Sequence, residues 1–123
     1  MNPSHGLSEN TVARTREVLE TFPEIESTVL FGSRAKGTYR PGSDIDLALT
    51  GSALDARIVG RVYDALDDLL LPYRFSLILF DHQTDPAVTA HIQRVGIPLY
   101  QRKSAARELL LREEPPAFGQ DKG

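Results

Sequence analysis

The chain contains no cysteine among its 123 residues. Without thiols it can form neither a disulfide framework nor a thiolate metal site. It also lacks a long apolar run, because aspartate, proline and arginine interrupt its most hydrophobic stretch, LDDLLLPYRFSLILF, whereas a membrane helix needs about 20 apolar residues. The first ten residues lack the basic and apolar segments of a signal peptide. We therefore expect a cytoplasmic protein without a membrane partner.

An excess of basic residues is missing as well. The chain has 14 Lys and Arg against 17 Asp and Glu, and its net charge is −3. Non-specific binding to a phosphate backbone relies on many uncompensated cations, so we do not expect it here; a local basic cluster could still hold one small phosphorylated ligand. The three histidines, His5, His82 and His91, show no metal-ligand spacing, and packing or surface roles are the natural interpretation.

Hydrophobic periodicity and turn residues give a coarse secondary structure. They predict helices over residues 8–22, 54–70 and 85–96, and strands over residues 27–32, 43–50, 73–80 and 97–101. Residues 73–80 are apolar on both faces, which favours a strand that is central or well covered. The length of the chain favours one domain with a modest core.

The strand over residues 43–50 contains an unusual pair of acidic residues, Asp44 and Asp46. Alternate residues of a strand share a face, so the two carboxylates should lie side by side, with Cα atoms about 6–7 Å apart. They would raise one another's pKa unless a cation lies between them. Oxygen ligands without His or Cys favour Mg²⁺, which completes its coordination with water and substrate phosphates. The alternative is a solvated strand face.

Gly32 and Ser33 could supply the phosphate site. Gly32 ends the preceding strand, and backbone N–H groups at such a turn, with the Ser33 hydroxyl, can bind an anion. Arg34 and Lys36, followed by Arg40, would offset triphosphate charge. Each feature alone could be an ordinary loop or a solvated basic face. Together with the acidic pair they supply what nucleotidyl transfer needs, a phosphate cradle beside metal ligands.

The run GSRAKGTYRPGSDIDLAL resembles the signature of the polymerase-beta-type nucleotidyltransferase superfamily. The size of the chain and its stretch DPAVTAHIQRVGIPLY resemble the smallest branch, the minimal nucleotidyltransferase (MNT) proteins, over about residues 8–101. The resemblance implies that Asp44 and Asp46 are catalytic Mg²⁺ ligands and that Gly32 and Ser33 bind the triphosphate of ATP. Many members act as antitoxins of a HEPN-domain ribonuclease toxin, and some transfer AMP to a tyrosine of that toxin.

The resemblance also implies a fold and a division of the chain. We expect an α/β (α+β) domain with a mixed sheet of about four strands and helices mainly on one face. This nucleotidyltransferase domain should span residues 1–103, with a C-terminal helix and a disordered tail over residues 104–123. An oligomer is compatible with the sequence, which identifies neither the acceptor nor the preferred nucleotide.

One position departs from the family pattern. Members usually carry a third carboxylate on a later strand, and Ser76 occupies that place here. A serine hydroxyl is neutral and a poor base. Asp81 lies five residues further on, which is about 16 Å along a strand and on the opposite face, so it is a weak substitute. Two functions remain: an Mg²⁺-dependent adenylyltransferase, or a weakened nucleotide-binding antitoxin that neutralises its partner by contact.

Overall fold

The computed structural model describes residues 5–102. These residues form four helices and four strands: α1 (Glu9–Glu20), β1 (Ser27–Phe31), α2 (Gly32–Lys36), β2 (Ile45–Thr50), α3 (Ala56–Asp67), β3 (Phe75–Leu79), α4 (Pro86–Val95) and β4 (Ile97–Gln101). The predicted C-terminal helix and tail lie outside the described residues. Within the described residues, no helix combines the length and apolar character needed to cross a bilayer.

Side-chain caps fix where the three longer helices begin. The Ser8 hydroxyl accepts the N–H of Thr11 at 3.1 Å ahead of α1. The Asp55 carboxylate accepts the N–H of Ile58 at 2.9 Å ahead of α3. Asp85 does the same for α4 through the N–H of Ala87. Each cap satisfies a backbone donor that the first helical turn leaves unpaired.

The strands form one mixed sheet in the order β3-β2-β1-β4. β1 runs antiparallel to β2 and β4, and β2 runs parallel to β3. A parallel connection needs a crossover, which α3 provides. The expectation that residues 73–80 form a central or well-covered strand was wrong: β3 lies at the edge of the sheet, and its residues after Phe75 are only partly buried. An apolar pattern does not show whether a second neighbouring strand exists.

The core lies between one face of the sheet and helices α1 and α3. Alternate residues of β2 point to it, as do residues spaced four apart in α3. Its fully buried members include Leu19, Leu30, Leu47, Leu49, Val62 and Leu66. Burying one such side chain contributes about 1.5–3 kcal/mol. The opposite face of the sheet carries the side chains from which the candidate site is built.

Candidate active site

The register of the sheet centres the site on Asp46. Asp46 lies beside Phe31 of β1 on one side and beside Ser76 of β3 on the other. Directly paired residues of neighbouring strands share a face. The structure therefore places Ser76 next to Asp46, on the same face of the sheet.

Asp44 lies outside the strand that was predicted to contain it. β2 begins at Ile45, and Asp44 is exposed in the preceding loop. The predicted strand from residue 43 was therefore two residues too long. Asp44 nevertheless remains close enough for its charge to act on Asp46.

The surroundings of Asp46 disfavour the ionised form of its carboxyl. Burial raises the pKa of the Asp46 carboxyl, and the Asp44 charge raises that pKa further. The Ser76 hydroxyl and the electrostatic influence of His91 lower the pKa of Asp46 by smaller amounts. The Ser76 hydroxyl makes a polar contact with the Asp46 carboxylate. A cation between the two carboxylates would offset both the cost of burying the Asp46 charge and the repulsion from Asp44.

Gly32 packs directly against the Asp46 carboxylate. Its φ of +74° is in the left-handed region that favours glycine. A Cβ at Gly32 would overlap Asp46 Oδ2 and lie 2.9 Å from Asp46 Cγ. Both the backbone conformation and this contact therefore favour glycine, and the turn after β1 lies in contact with the metal-ligand candidate on β2.

His91 belongs to the same site, which the sequence analysis did not foresee. Its Nε2 accepts the Gly32 N–H at 3.0 Å. Its ring meets the Phe31 ring edge-on, with centroids 6.2 Å apart. The interpretation of His91 as a helix-packing residue missed this bond. One signal was present, because His91 lies on the same helical stripe as Val88 and Val95, where a polar residue is unexpected.

Arg34 has a different role from the one expected. Its side chain is 2% exposed. Its Nε donates to the Ser43 carbonyl at 3.1 Å and its Nη1 to the His5 carbonyl at 2.9 Å. The guanidinium lies 5.0 Å from the Tyr39 ring centroid and 4.9 Å from that of Tyr73. Backbone carbonyls and aromatic rings enclose Arg34, so the structure shows it anchoring the loop that leads into the acidic pair and not facing solvent as a phosphate ligand.

The other basic and polar residues of the motif remain accessible. Ser33 is half-buried at the start of α2, and Lys36 is exposed at its end. Asp81 lies in a turn where it accepts the N–H of Gln83 at 2.9 Å. It therefore caps that turn, which agrees with the view that it is a weak substitute for a third carboxylate.

The donor set fits one hard divalent cation. Asp44 and Asp46 supply two carboxylates, and Mg²⁺ commonly takes one or two from the protein with water and phosphate oxygens for the rest. Within residues 5–102 no cluster of three or more His, Asp or Glu could hold a metal.

Surface clefts give only secondary guidance. Asp44 borders an open cleft of about 590 Å³, together with Gly42, Tyr63, Asp67, Leu71, Pro72, Tyr73 and Arg74. Two larger clefts lie along β4 and between α3 and β3, and Asp46 lines neither of them. The carboxylate pair, and not the size of a cleft, marks the position of the site.

Comparisons with known proteins show the family and the fold. Residues 14–105 match a family model described as polymerase beta, nucleotidyltransferase. No curated protein matches the chain. Among solved structures, it is similar to an MntA–HepT toxin–antitoxin complex (TM-score 0.59, 16% identity, covering 93% of this chain and 94% of the other). It is also similar to a toxin–antitoxin structure with AMP-PNP (TM-score 0.55, 20% identity, 94% of each chain).

A third similar structure is a Shewanella oneidensis complex of a tri-AMPylated HEPN toxin with an MNT antitoxin (TM-score 0.54, 14% identity, 94% of each chain). At these identities the likeness shows the fold, whereas the family model covers most of the chain, including the Gly32–Ser33 turn, both aspartates and Ser76. The chain belongs to the polymerase beta nucleotidyltransferase family.

Proposed function

We propose that this protein is an Mg²⁺-dependent nucleotidyltransferase that transfers AMP from ATP to a protein, and that it acts as the antitoxin of a HEPN-domain toxin. The observation that carries the proposal is the contact between the Gly32 turn and the Asp46 carboxylate. It brings the candidate triphosphate-binding turn and the candidate metal ligand together. The solved complexes of similar fold pair such a chain with a HEPN toxin, one of them AMPylated.

Each residue of the site would have a distinct role. Asp44 and Asp46 would hold Mg²⁺, which, when bound, offsets the charge of the triphosphate and polarises the phosphate that is attacked. Gly32 and Ser33 would bind triphosphate oxygens through backbone N–H groups and the Ser33 hydroxyl, and Lys36 would offset further charge. The acceptor oxygen would bond to the α-phosphorus while the bond from that phosphorus to the oxygen bridging the β-phosphate breaks. Pyrophosphate would leave with that oxygen, and the acceptor proton would pass to solvent water.

A second function is favoured by Ser76. Ser76 lies beside Asp46 but cannot take a proton from an acceptor hydroxyl as a carboxylate would. A chain of this kind could keep the nucleotide site and neutralise its partner through contact alone. The two functions share ATP binding and the HEPN partner, so only the transfer of AMP separates them.

The first experiment tests the ligand. We expect calorimetry to show ATP binding that requires Mg²⁺, and we expect Asp44→Asn with Asp46→Asn to abolish it. The matched control changes two exposed carboxylates at the end of α3, Asp64→Asn with Asp68→Asn, and should bind like the wild type. Equal Mg·ATP binding before and after the change at Asp44 and Asp46 would contradict the proposal.

The second experiment tests the reaction. The chain is purified together with its HEPN partner and incubated with ATP that is labelled at the α-phosphate. Label on the partner supports the enzyme. Mg·ATP binding and toxin neutralisation without label on the partner support the binding antitoxin instead.

A further inference from the structure

His91 connects α4 to the centre of the site, and its bond to Gly32 has no role in the chemistry proposed above. Gly32 is surrounded by two side chains. The Gly32 N–H points to His91 Nε2 at 3.0 Å, and the position of a Cβ on Gly32 points to the Asp46 carboxylate. The imidazole therefore binds the peptide N–H of Gly32, the residue that packs against the Asp46 carboxylate.

We propose that His91 is a positioning residue that holds Gly32 in its left-handed conformation, and thereby keeps the phosphate-binding turn in register with Asp46 before the nucleotide arrives. The inference rests on the proposed function, because it assigns to His91 a role in Mg·ATP affinity. A neutral imidazole accepts at one nitrogen and donates at the other. Acceptance at Nε2 leaves the proton of His91 on Nδ1.

Both ends of this contact are well anchored. Ile92, the next residue of α4, is buried, and the ring of His91 meets Phe31 edge-on. At the end of α4, a Cβ on Gly96 would lie 2.7 Å from Val29 Cγ1, so the helix packs closely against β1. A bond between two such anchored groups loses little entropy on forming, which suits it to preorganise a binding turn.

The test distinguishes the effect of a hydrogen-bond acceptor at position 91 from the effect of side-chain volume there. His91→Gln keeps an acceptor at a similar reach, whereas His91→Leu keeps apolar volume without one. His91→Ala is a second acceptor-free variant if His91→Leu folds poorly. His82→Leu is the control, because His82 is an exposed histidine in a turn. Two quantities are measured for each: hydrogen exchange of the Gly32 amide without nucleotide, and the Kd for Mg·ATP.

We expect His91→Leu to speed Gly32 exchange and to raise the Kd about 2- to 12-fold, the effect of losing one hydrogen bond. His91→Gln should stay near the wild type in both measurements, and so should His82→Leu. Unchanged Gly32 exchange in His91→Leu, or equal effects of Gln and Leu, would overturn the inference. Tighter Mg·ATP binding by His91→Leu would also overturn it, because the imidazole would then occupy space that a phosphate needs.

The exchange measurement keeps the two proposals apart. If the wild type does not bind Mg·ATP, the proposed function fails, while Gly32 exchange still decides whether His91 holds the turn. If the wild type binds Mg·ATP and His91→Leu binds it equally well, the proposed function stands and the positioning role fails.

Discussion

Replacing Gly32 by alanine tests the contact on which the site depends, and Gly37 provides a matched control. Both glycines have positive φ, +74° at Gly32 and +86° at Gly37. A Cβ at Gly37 would meet nothing within 4 Å, whereas a Cβ at Gly32 would overlap the Asp46 carboxylate. The two substitutions therefore share the cost of the backbone conformation and differ in the clash.

The magnitudes follow from these two terms. An L-residue in the left-handed region costs about 1–2 kcal/mol, so Gly37→Ala should lower the free energy of unfolding by about that amount. Gly32→Ala should lower it by a further ~1–3 kcal/mol, the usual cost of forcing an extra carbon into a packed contact. In an Asp46→Ala background the carboxylate is gone and only the Cβ at position 46, 3.2 Å away, remains. The cost of Gly32→Ala should then fall toward that of Gly37→Ala.

Urea unfolding and Mg·ATP calorimetry on the same proteins check the prediction. If the Asp46 carboxyl rotates away from the new methyl group, the stability difference shrinks and the loss appears in Mg·ATP affinity. Gly37→Ala should keep that affinity in either case. A Gly32→Ala protein that matches Gly37→Ala in both stability and affinity would refute the reasoning.

Two further predictions concern Ser76 and a buried hydroxyl. Ser76→Asp should raise AMP transfer to the co-purified partner, because one general base is worth a factor of about 10²–10⁴ in rate. It should also lower the metal-free Tm, and Mg²⁺ should restore that Tm. A wild type that already transfers rapidly and gains nothing from Ser76→Asp would show that another group is the base. Thr28 is fully buried, and its Oγ1 has no hydrogen-bond partner within the described part of the chain. Thr28→Val should therefore stabilise the fold by about 1 kcal/mol, or roughly 4–8 °C in Tm. The control Thr15→Val should not, because the Thr15 hydroxyl donates to the Thr11 carbonyl at 2.8 Å; equal Tm changes for the two variants would contradict this account.

Local patterns predicted the elements and part of the site. Strand period put Asp44 and Asp46 on one face of residues 43–50, and the structure buries the alternate residues Ile45, Leu47 and Leu49. Ser76, singled out by the family resemblance, is paired with Asp46 by the register of the sheet. Such inferences succeed because the side-chain period of a strand is two wherever the strand lies.

The remaining features depend on tertiary contacts between distant parts of the chain. The burial of Arg34 needs the His5 carbonyl and the Tyr73 ring, and no local pattern contains those partners. The bond from Gly32 to His91 spans 59 positions. A basic residue in a motif favours a phosphate contact in the sequence, but only the fold shows whether its donors are already used.

The electrostatics of Asp46 connect stability with the choice between the two proposed functions. Folding raises the pKa of Asp46. The protonated carboxyl therefore contributes to the stability of the fold, and this contribution is lost as the pH rises through the folded-state pKa. A third carboxylate at position 76 would add repulsion on the same face, whereas the Ser76 hydroxyl acts in the opposite direction. Serine at this position therefore favours the metal-free fold at the expense of a catalytic base. A chain selected to bind and neutralise a partner without transferring AMP would benefit from that exchange, and a chain selected for rapid transfer would not.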